Sequence, residues 1–169
     1  QGQVNVANGL GSGVVEARAL MGFLPALARQ VLGEDLILPN IATWWCGQPQ
    51  ERQAVLDRLG EMSIAPAFRS AGNGLDTTQV VAGELPEAER AALRDRIEAR
   101  GMDYVGQEVV RLSTMPVFQN GRLEPHPMTL RVFAAATPDG WKVMPGGFCR
   151  ISDEPDARAV SMRNGVRSS

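Results

Sequence analysis

The sequence has few of the residues that carry the commonest functional chemistries. Its 169 residues include two cysteines, one histidine and one lysine, which is Lys142. Two cysteines, Cys46 and Cys149, cannot build a disulfide scaffold, and no CxxC or Cys/His cluster predicts a zinc site. We interpret both as buried thiols, because free cysteine is usually buried. With a single lysine, arginine must supply nearly every cationic group that holds an anion.

The chain also lacks an excess of charge of either sign. Seventeen basic and nineteen acidic residues give a net charge of -2 at pH 7, so neither nucleic acid nor a membrane surface is expected as a partner. There is no signal peptide and no apolar run long enough to span a membrane, which predicts a cytoplasmic protein. Because the chain begins at Gln1 without a methionine and stops at Ser169, we interpret it as a fragment of a longer protein.

Hydrophobic periodicity predicts a mixture of helices and strands. Helices are expected at about residues 16–32, 49–59 and 86–99. Strands are expected at about residues 35–40, 62–68, 79–81 and 103–110. Asn120-Gly121 is the strongest hairpin signal, and the tetrad TPDG at residues 137–140 predicts a second tight turn. Pro145 is expected to stop the ladder of the strand that returns from that turn.

Two arginines lie inside the apolar strands on either side of the second turn. They are Arg131 and Arg150, and each has apolar neighbours along the chain. An arginine between Leu130 and Val132 either lies on the solvated face of a half-buried strand or holds an anion. The residues alone leave both interpretations open. We expect the two side chains to lie on the same face of the sheet and to converge on one cleft.

Four stretches carry a resemblance to a known family. They are NGLGSGVVE, LPNIATWWCG, YVGQE and LRVFAAATPDGWKVMPGGFCRIS, at residues 8–16, 38–47, 104–108 and 130–152. In this order they resemble the circularly permuted ATP-grasp proteins of the second type, relatives of the glutathionylspermidine synthase-like group. The resemblance covers essentially the whole chain. It implies an α+β fold with a two-lobed, ATP-grasp-like core of antiparallel sheets, preceded by a short α/β element.

The resemblance also implies how the chain is divided into lobes. Residues 1–47 would form the preceding element, and residues 48–105 the small lobe. Residues 106–169 would form a large lobe that is incomplete at its C-terminal end.

The nucleotide site that the resemblance implies lies in the small lobe and in the segment that joins the lobes. The matching residues are Arg69, Gly72 and Gly74 for the phosphates and Gln107, Glu108 and Val109 for the adenine and ribose. Arg69 stands where the family usually has lysine, and a guanidinium holds two phosphate oxygens in a plane. The alternative for residues 69–74 is a surface turn with an exposed arginine.

The cofactors that the resemblance implies are ATP and Mg²⁺. The family's acidic magnesium ligand is placed two residues before the strand arginine, where this sequence has Thr129. A hydroxyl is a poor substitute for a carboxylate toward a hard dication. Asn164 matches the family's second metal-side residue, and Glu124 is the nearest acid that could compensate.

The function that the resemblance implies is ATP-dependent ligation, in which a carboxylate is activated as an acyl phosphate and attacked by an amine. Arg131 and Arg150 would neutralise the transferred phosphoryl group and the acyl phosphate. The alternative is a nucleotide- or peptide-binding module that has lost catalysis, because the usual lysine and carboxylate are missing. Expected partners are a nucleotide and a small carboxylate, amine or peptide substrate. The separated fragment is expected to self-associate or to have disordered ends, and to show no turnover.

Overall fold

The computed structural model describes residues 8–68, residues 79–152 and the backbone of residues 167–168. The chain forms two compact units, Gln1–Val109 and Val110–Ser169. Each unit has one four-stranded sheet, and all strand pairs in both sheets are antiparallel. Helices together with antiparallel sheets confirm the predicted α+β class. The lobe boundaries expected at residues 47 and 105 stay a prediction.

The first unit is built on a sheet with the strand order β1–β4–β2–β3. The strands are β1 (Thr43–Trp45), β2 (Met62–Pro66), β3 (Val80–Val81) and β4 (Tyr104–Glu108). The central pair runs from Met62 opposite Glu108 to Pro66 opposite Tyr104. Every residue of β2 is buried, as expected of a central strand that is covered on both faces.

Four α-helices and several shorter turns surround this sheet. The α-helices are α1 (Arg18–Met21), α2 (Leu24–Leu27), α3 (Pro49–Asp57) and α4 (Glu87–Ala99). The turns are 3-10 helices at Ser12–Glu16, Leu59–Glu61, Ala82–Glu84 and Gly101–Asp103, and a π-helical turn at Ala28–Leu32. No helix in the described ranges combines the length and the apolar character needed to cross a membrane.

Helices α3 and α4 bury one side against the sheet. Leu93 and Ile97 are four residues apart and therefore lie on the same side of α4. They pack with Val55 from α3 and Ile64 from β2 in the main hydrophobic core. The charged residues of α4 cover the outside of this core, which is why the sequence predicted this helix well.

The N-terminal segment differs from the single helix expected at residues 16–32. The helix is interrupted at Gly22, where a Cβ atom would lie 2.9 Å from the carbonyl oxygen of Thr43. Pro25 then lies in the first turn of α2, where its missing N–H leaves no helical bond unmade. The strand expected at residues 35–40 is wrong, because that segment has no regular structure and leaves Ile37 96% exposed.

Gly106→Ala is expected to destabilise the first unit by about 1–3 kcal/mol, the usual cost of overfilling a packed core. A Cβ atom at this position would lie 2.6 Å from Cγ2 of Val55, whose side chain is fully buried. Urea unfolding measures the loss, and Val55→Ala should reduce it by making room. Gly60→Ala is the control, because its Cβ would meet nothing within 4 Å. An equal loss in both glycine variants would contradict this explanation.

The second unit is a sheet with the strand order β5–β6–β7–β8. Its strands are β5 (Thr114–Gln119), β6 (Arg122–Thr137), β7 (Gly140–Ile151) and β8 (Arg167–Ser168). Both predicted turns are present. Asn120 and Gly121 have φ values of 53° and 80°, the positive φ that a type I′ turn requires at its two central positions. At the second turn, the Thr137 hydroxyl donates a hydrogen bond of 2.6 Å to the carbonyl oxygen of Gly140.

Pro145 does not end β7, although its missing N–H predicted an interruption of the ladder there. The strand continues to Ile151, but its pairing with β6 shifts: Val132 lies opposite Gly147, whereas Ala134 lies opposite Val143. Phe133 therefore faces the three residues 144–146, and Pro145 lies in a bulge. A bulge is a place where a strand tolerates a residue without an N–H, since the ladder is already interrupted there.

Candidate functional site

The two strand arginines lie on the same face of the β6–β7 ribbon. Arg131 pairs with Phe148, and Thr129 pairs with Arg150. Opposite residues of an antiparallel pair share a face, as do alternate residues of one strand. Thr129, Arg131, Phe148 and Arg150 therefore share one face, with the Cα atoms of the two arginines in a diagonal relation at about 7–8 Å. The expectation of a shared face is confirmed.

A groove of about 390 Å³ lies at these side chains. We call it the arginine groove, and it is lined by Thr129, Leu130, Arg131, Val132, Phe148 and Arg150. The guanidinium carbon of Arg150 lies 6.0 Å from the centre of the Phe148 ring, within reach of a cation–π contact. Arg131 is exposed, whereas Thr129 and Arg150 are half-buried. The groove thus combines two guanidinium groups with a hydroxyl, and a guanidinium group is a hydrogen-bond donor with no acceptor atom.

Sequence reasoning missed Phe148 as a part of this groove. Its ring lies on the groove face because Phe148 is opposite Arg131 and two residues before Arg150. The spacing of Phe148 and Arg150 on one strand was a usable signal, because residues two apart share a face. The aromatic ring thus adds an apolar surface to the face that carries the two cationic side chains.

The groove does not fit the Mg²⁺ that the resemblance implies. None of its six described lining residues is acidic, and magnesium requires oxygen ligands, usually including carboxylates. In the described part of the chain, no three His, Cys, Asp or Glu side chains come together as a metal site would need. Asn164, one of the two expected ligands, lies outside the described residues.

The structure does not bring Glu124 together with Thr129. Both residues are in β6, but they are five positions apart, which corresponds to about 16 Å along a strand. An odd separation also places their side chains on opposite faces. The Glu124 carboxylate instead accepts a 2.6 Å hydrogen bond from Nε of Arg122.

The expected adenine segment is engaged inside the first unit. Gln107 is buried, and its side-chain amide donates to Oγ1 of Thr43 at 2.9 Å and lies 3.6 Å from Sδ of Met21. Gln107 thus ties β4 to β1 and α1. Glu108 uses its N–H to donate to Ala42 O at 3.1 Å, and its carboxylate accepts from the Ala42 N–H at 3.1 Å. Val109 follows directly after β4.

The expected phosphate loop cannot be compared with the structure. Arg69, Gly72 and Gly74 lie outside the described residues, so their assignment stays a prediction. The described neighbours are β2, which ends at Pro66, and β3, which begins at Val80.

The first unit has a cavity of its own, of about 520 Å³, that sequence reasoning missed. One wall is aromatic, where Phe23 and Trp45 meet edge to face with ring centres 6.2 Å apart. The lining also has polar side chains, with Asn40 and an ion pair in which Nε of Arg29 is 2.5 Å from Oδ1 of Asp35. No spacing in the sequence predicts this cavity, because its walls come from several separate segments of the chain between Gly22 and Glu51.

The two cysteines differ in exposure. Cys46 is fully buried, as predicted, whereas Cys149 is half-buried. Desolvation raises the pKa of the Cys46 thiol from 9.0 to about 11, more than the backbone of Gly106 and the charge of Arg52 lower it. A thiol with a raised pKa is a poor nucleophile, so Cys46 is a structural residue.

The stability of the first unit is expected to fall as the pH rises from about 9 to about 11. The Cys46 thiol ionises near pH 9.0 in the unfolded state and near pH 11 in the folded state. Between these values ionisation therefore stabilises the unfolded state relative to the folded one. The contribution of the neutral Cys46 thiol to the free energy of unfolding is complete below pH 9, and it is lost as the pH rises through the folded-state pKa of about 11. Urea unfolding of the wild type and Cys46→Ala across this range measures it. The difference between the two proteins should shrink with pH, and a constant difference would contradict the assignment.

Comparison with known proteins agrees with the resemblance. The family model described as "Circularly permuted ATP-grasp type 2" matches residues 1–152. The chain is 34% identical over 151 residues to "Putative glutamate--cysteine ligase 2-2" of Frankia casuarinae, a match that covers 89% of this chain and 17% of the relative.

Two further relatives have no activity in their names. One is an uncharacterised protein of Mycobacterium tuberculosis, 30% identical over 97% of this chain and 29% of the relative. The other is an uncharacterised protein of a Synechocystis species, 28% identical over 98% of this chain and 34% of the relative. The chain thus spans 17% to 34% of the length of these curated relatives. Because the family model matches most of its residues, the chain belongs to the circularly permuted ATP-grasp type 2 family.

Proposed function

We propose that this chain supplies the phosphoryl-binding face of an ATP-dependent ligase that joins a carboxylate to an amine. The observation that carries the proposal is the arginine groove, where Arg131 and Arg150 share one face beside the Phe148 ring. Membership of the ATP-grasp family and the name of the Frankia relative, a putative glutamate–cysteine ligase, support ligation as the reaction class.

The arginines act through charge and hydrogen bonds. ATP, when bound, supplies the phosphoryl group that activates the carboxylate as an acyl phosphate. Arg131 and Arg150 each offer a planar fork of N–H donors that matches two phosphoryl oxygens. They stabilise the negative charge on those oxygens while the phosphoryl group is transferred and while the amine displaces it. A guanidinium group has donors and no acceptor, so another group must accept the proton of the amine.

The first unit would hold the nucleotide. Arg69, Gly72 and Gly74 are the proposed phosphate loop, and residues 107–109 are the proposed base segment. Gln107 contributes indirectly, because its amide is already bound to Thr43 and holds β4 in place. Within the proposal, Gln107 is therefore a positioning residue and not a base contact.

A second candidate is a phosphoanion-binding module without turnover. The observation that favours it is Thr129, which lies in the arginine groove where the resembled proteins have an acidic magnesium ligand. Binding without catalysis would then be the function of this chain.

Release of ADP that depends on an added carboxylate separates the two candidates. Amino acids are supplied singly and in pairs with ATP, and ADP is measured for this chain and for the full-length Frankia relative as a positive control. For the ligase, Arg131→Ala should lower the rate about tenfold or more, the effect of one lost charge-assisted hydrogen bond. Arg111→Ala is the matched control, because Arg111 does not line the groove. Nucleotide binding with no such release from either polypeptide would favour the binding module.

A further inference from the structure

The cavity of about 520 Å³ in the first unit is lined by three charged residues, Arg29, Asp35 and Glu51. Nε of Arg29 lies 2.5 Å from Oδ1 of Asp35, so the charges of this pair offset each other. In the part of the chain that the structure describes, no side-chain hydrogen bond or ion pair holds the Glu51 carboxylate. The lining therefore has one negative charge that is not balanced, and it belongs to Glu51.

Helix α3 explains why a carboxylate is favoured at this place. Glu51 is in the first turn of α3, where the partial positive charge of the helix N-terminus stabilises an anion. Glu51 is half-buried, and no side chain caps the helix. A carboxylate has two acceptor oxygens and no donor. Glu51 thus brings hydrogen-bond acceptors to the cavity that remain available to a ligand.

Aromatic side chains supply the second feature that suits a cation. Phe23, Trp44 and Trp45 line the same cavity. The face of an aromatic ring attracts a cation, and tryptophan does so most strongly. The Trp44 ring is already engaged, because the guanidinium carbon of Arg58 lies 4.9 Å from its centre. Phe23 and Trp45 are therefore the rings that offer apolar surface and π electrons to a ligand.

An organic cation fits this combination better than a metal ion or an anion does. Calcium and magnesium take several oxygen ligands, and no three His, Cys, Asp or Glu side chains come together among the described residues. An anion would be repelled by Glu51, whereas the charge of Arg29 is offset by Asp35. Cavities of about 300–1,000 Å³ commonly bind small organic molecules, and this cavity is within that range.

We propose that this cavity binds a small organic ammonium ion with an apolar body. The ammonium group donates to the Glu51 carboxylate, and the apolar body packs against Phe23 and Trp45. The site goes beyond the proposed function, because its lining includes no residue of the arginine groove, of the proposed phosphate loop or of the proposed base segment.

Three probes of nearly the same shape test the sign of the charge. Phenethylammonium is a cation, 2-phenylethanol is neutral and phenylacetate is an anion. In calorimetry, the wild type should bind phenethylammonium at least about tenfold more tightly than the other two, because only the cation forms a charge-assisted hydrogen bond with Glu51. Tryptophan fluorescence of Trp141→Phe locates the binding, since the two tryptophans that remain, Trp44 and Trp45, both line the cavity.

Two variants test the role of Glu51. Glu51→Gln keeps the size of the side chain and removes its charge, so it should bind phenethylammonium at least about tenfold more weakly and 2-phenylethanol within about twofold of the wild type. Glu89→Gln is the matched control, because Glu89 is in the first turn of α4 and does not line the cavity. It should bind all three probes as the wild type does.

Arg29→Gln keeps the proposal testable if Glu51→Gln does not fold. Arg29 is exposed, so the fold should tolerate the change. The substitution removes the one positive charge of the lining and leaves Asp35 without its partner. Arg29→Gln should therefore bind phenethylammonium at least as tightly as the wild type.

Several results would overturn the proposal. They are absence of phenethylammonium binding, equal affinity for the three probes, and undiminished affinity in Glu51→Gln. Tighter binding of phenylacetate that is lost in Arg29→Gln would show an anion site instead. Displacement of phenethylammonium by adenosine would make the cavity a nucleoside site. Each of these results would leave the role of Arg131 in the proposed function standing, since Arg131 is not in this cavity.

Discussion

Replacing Arg131 and Arg150 together with alanine is expected to weaken binding of a phosphate monoester by at least about a hundredfold. Each charge-assisted interaction contributes about 1.5–3 kcal/mol, and 1.4 kcal/mol corresponds to a factor of ten in affinity. The two residues share one face and one groove, so their effects should be coupled and the double variant should not equal the sum of the singles. Calorimetry at low salt on wild type, both single variants and the double variant measures this coupling.

Two controls separate geometry from charge. Arg131→Lys keeps the charge but removes the planar fork, so its affinity should lie between those of wild type and Arg131→Ala. Arg111→Ala removes an arginine of the same unit outside the groove lining and should bind as wild type does. Binding to the wild type should also weaken as salt is raised. A double variant with undiminished affinity would show that the arginines lie on a merely solvated strand face.

The sequence predicted the elements whose signals are local. Helix α4 has an apolar spacing of four residues and a charged exterior, and both were visible in the sequence. The Asn120-Gly121 turn was predictable because few residues adopt positive φ at two successive positions. Strands β2 and β4 were found from short apolar runs between turn residues, and only their ends were uncertain.

The N-terminal segment was predicted poorly because its structure depends on distant contacts. Gly22 interrupts the expected helix at the point where the chain approaches the carbonyl group of Thr43. Thr43 lies about twenty positions later in the sequence. The apolar run at residues 35–40 satisfies a strand pattern, but no neighbouring strand pairs with it in the described residues. Periodicity reports which side chains are apolar and does not report whether a partner is present.

The shared face of Arg131 and Arg150 was predictable for a reason that the bulge makes clear. Side chains alternate along a strand, so an offset of one residue would have placed the two arginines on opposite faces. In the bulge, three residues of β7 stand opposite one residue of β6, which is an offset of two. Because the offset is even, side chains on both sides of the bulge keep the faces that are set by the pairing of Thr137 with Gly140 at the turn.

The position of Glu124 could also have been judged from alternation. The sequence predicted the two turns but not the bounds of the strand between them. In the structure β6 is continuous from Arg122 to Thr137, so Glu124 and Thr129 are an odd number of residues apart on one strand.

Ile97→Ala is expected to destabilise the first unit by about 2–5 kcal/mol, the cost of removing a buried aliphatic side chain and leaving a cavity. Ile97 is 0% exposed in α4 and belongs to the main core with Leu93 and Val55. Domains of this size are stable by only about 5–15 kcal/mol, so the loss would be a large fraction of the total. Urea unfolding followed by tryptophan fluorescence measures it, since Trp44 and Trp45 both lie in this unit.

The matched control is Ile37→Ala, which makes the same chemical change at a residue that is 96% exposed. Its effect should stay within about 0.5 kcal/mol, because little apolar area is lost from a core and no cavity forms. The comparison also tests the segment in which the sequence predicted a strand. If Ile37 were in a buried strand, as its apolar neighbours suggested, the two substitutions would cost similar amounts. A large effect at Ile37 would contradict its exposed position, and a small effect at Ile97 would contradict the packing of α4 on the sheet.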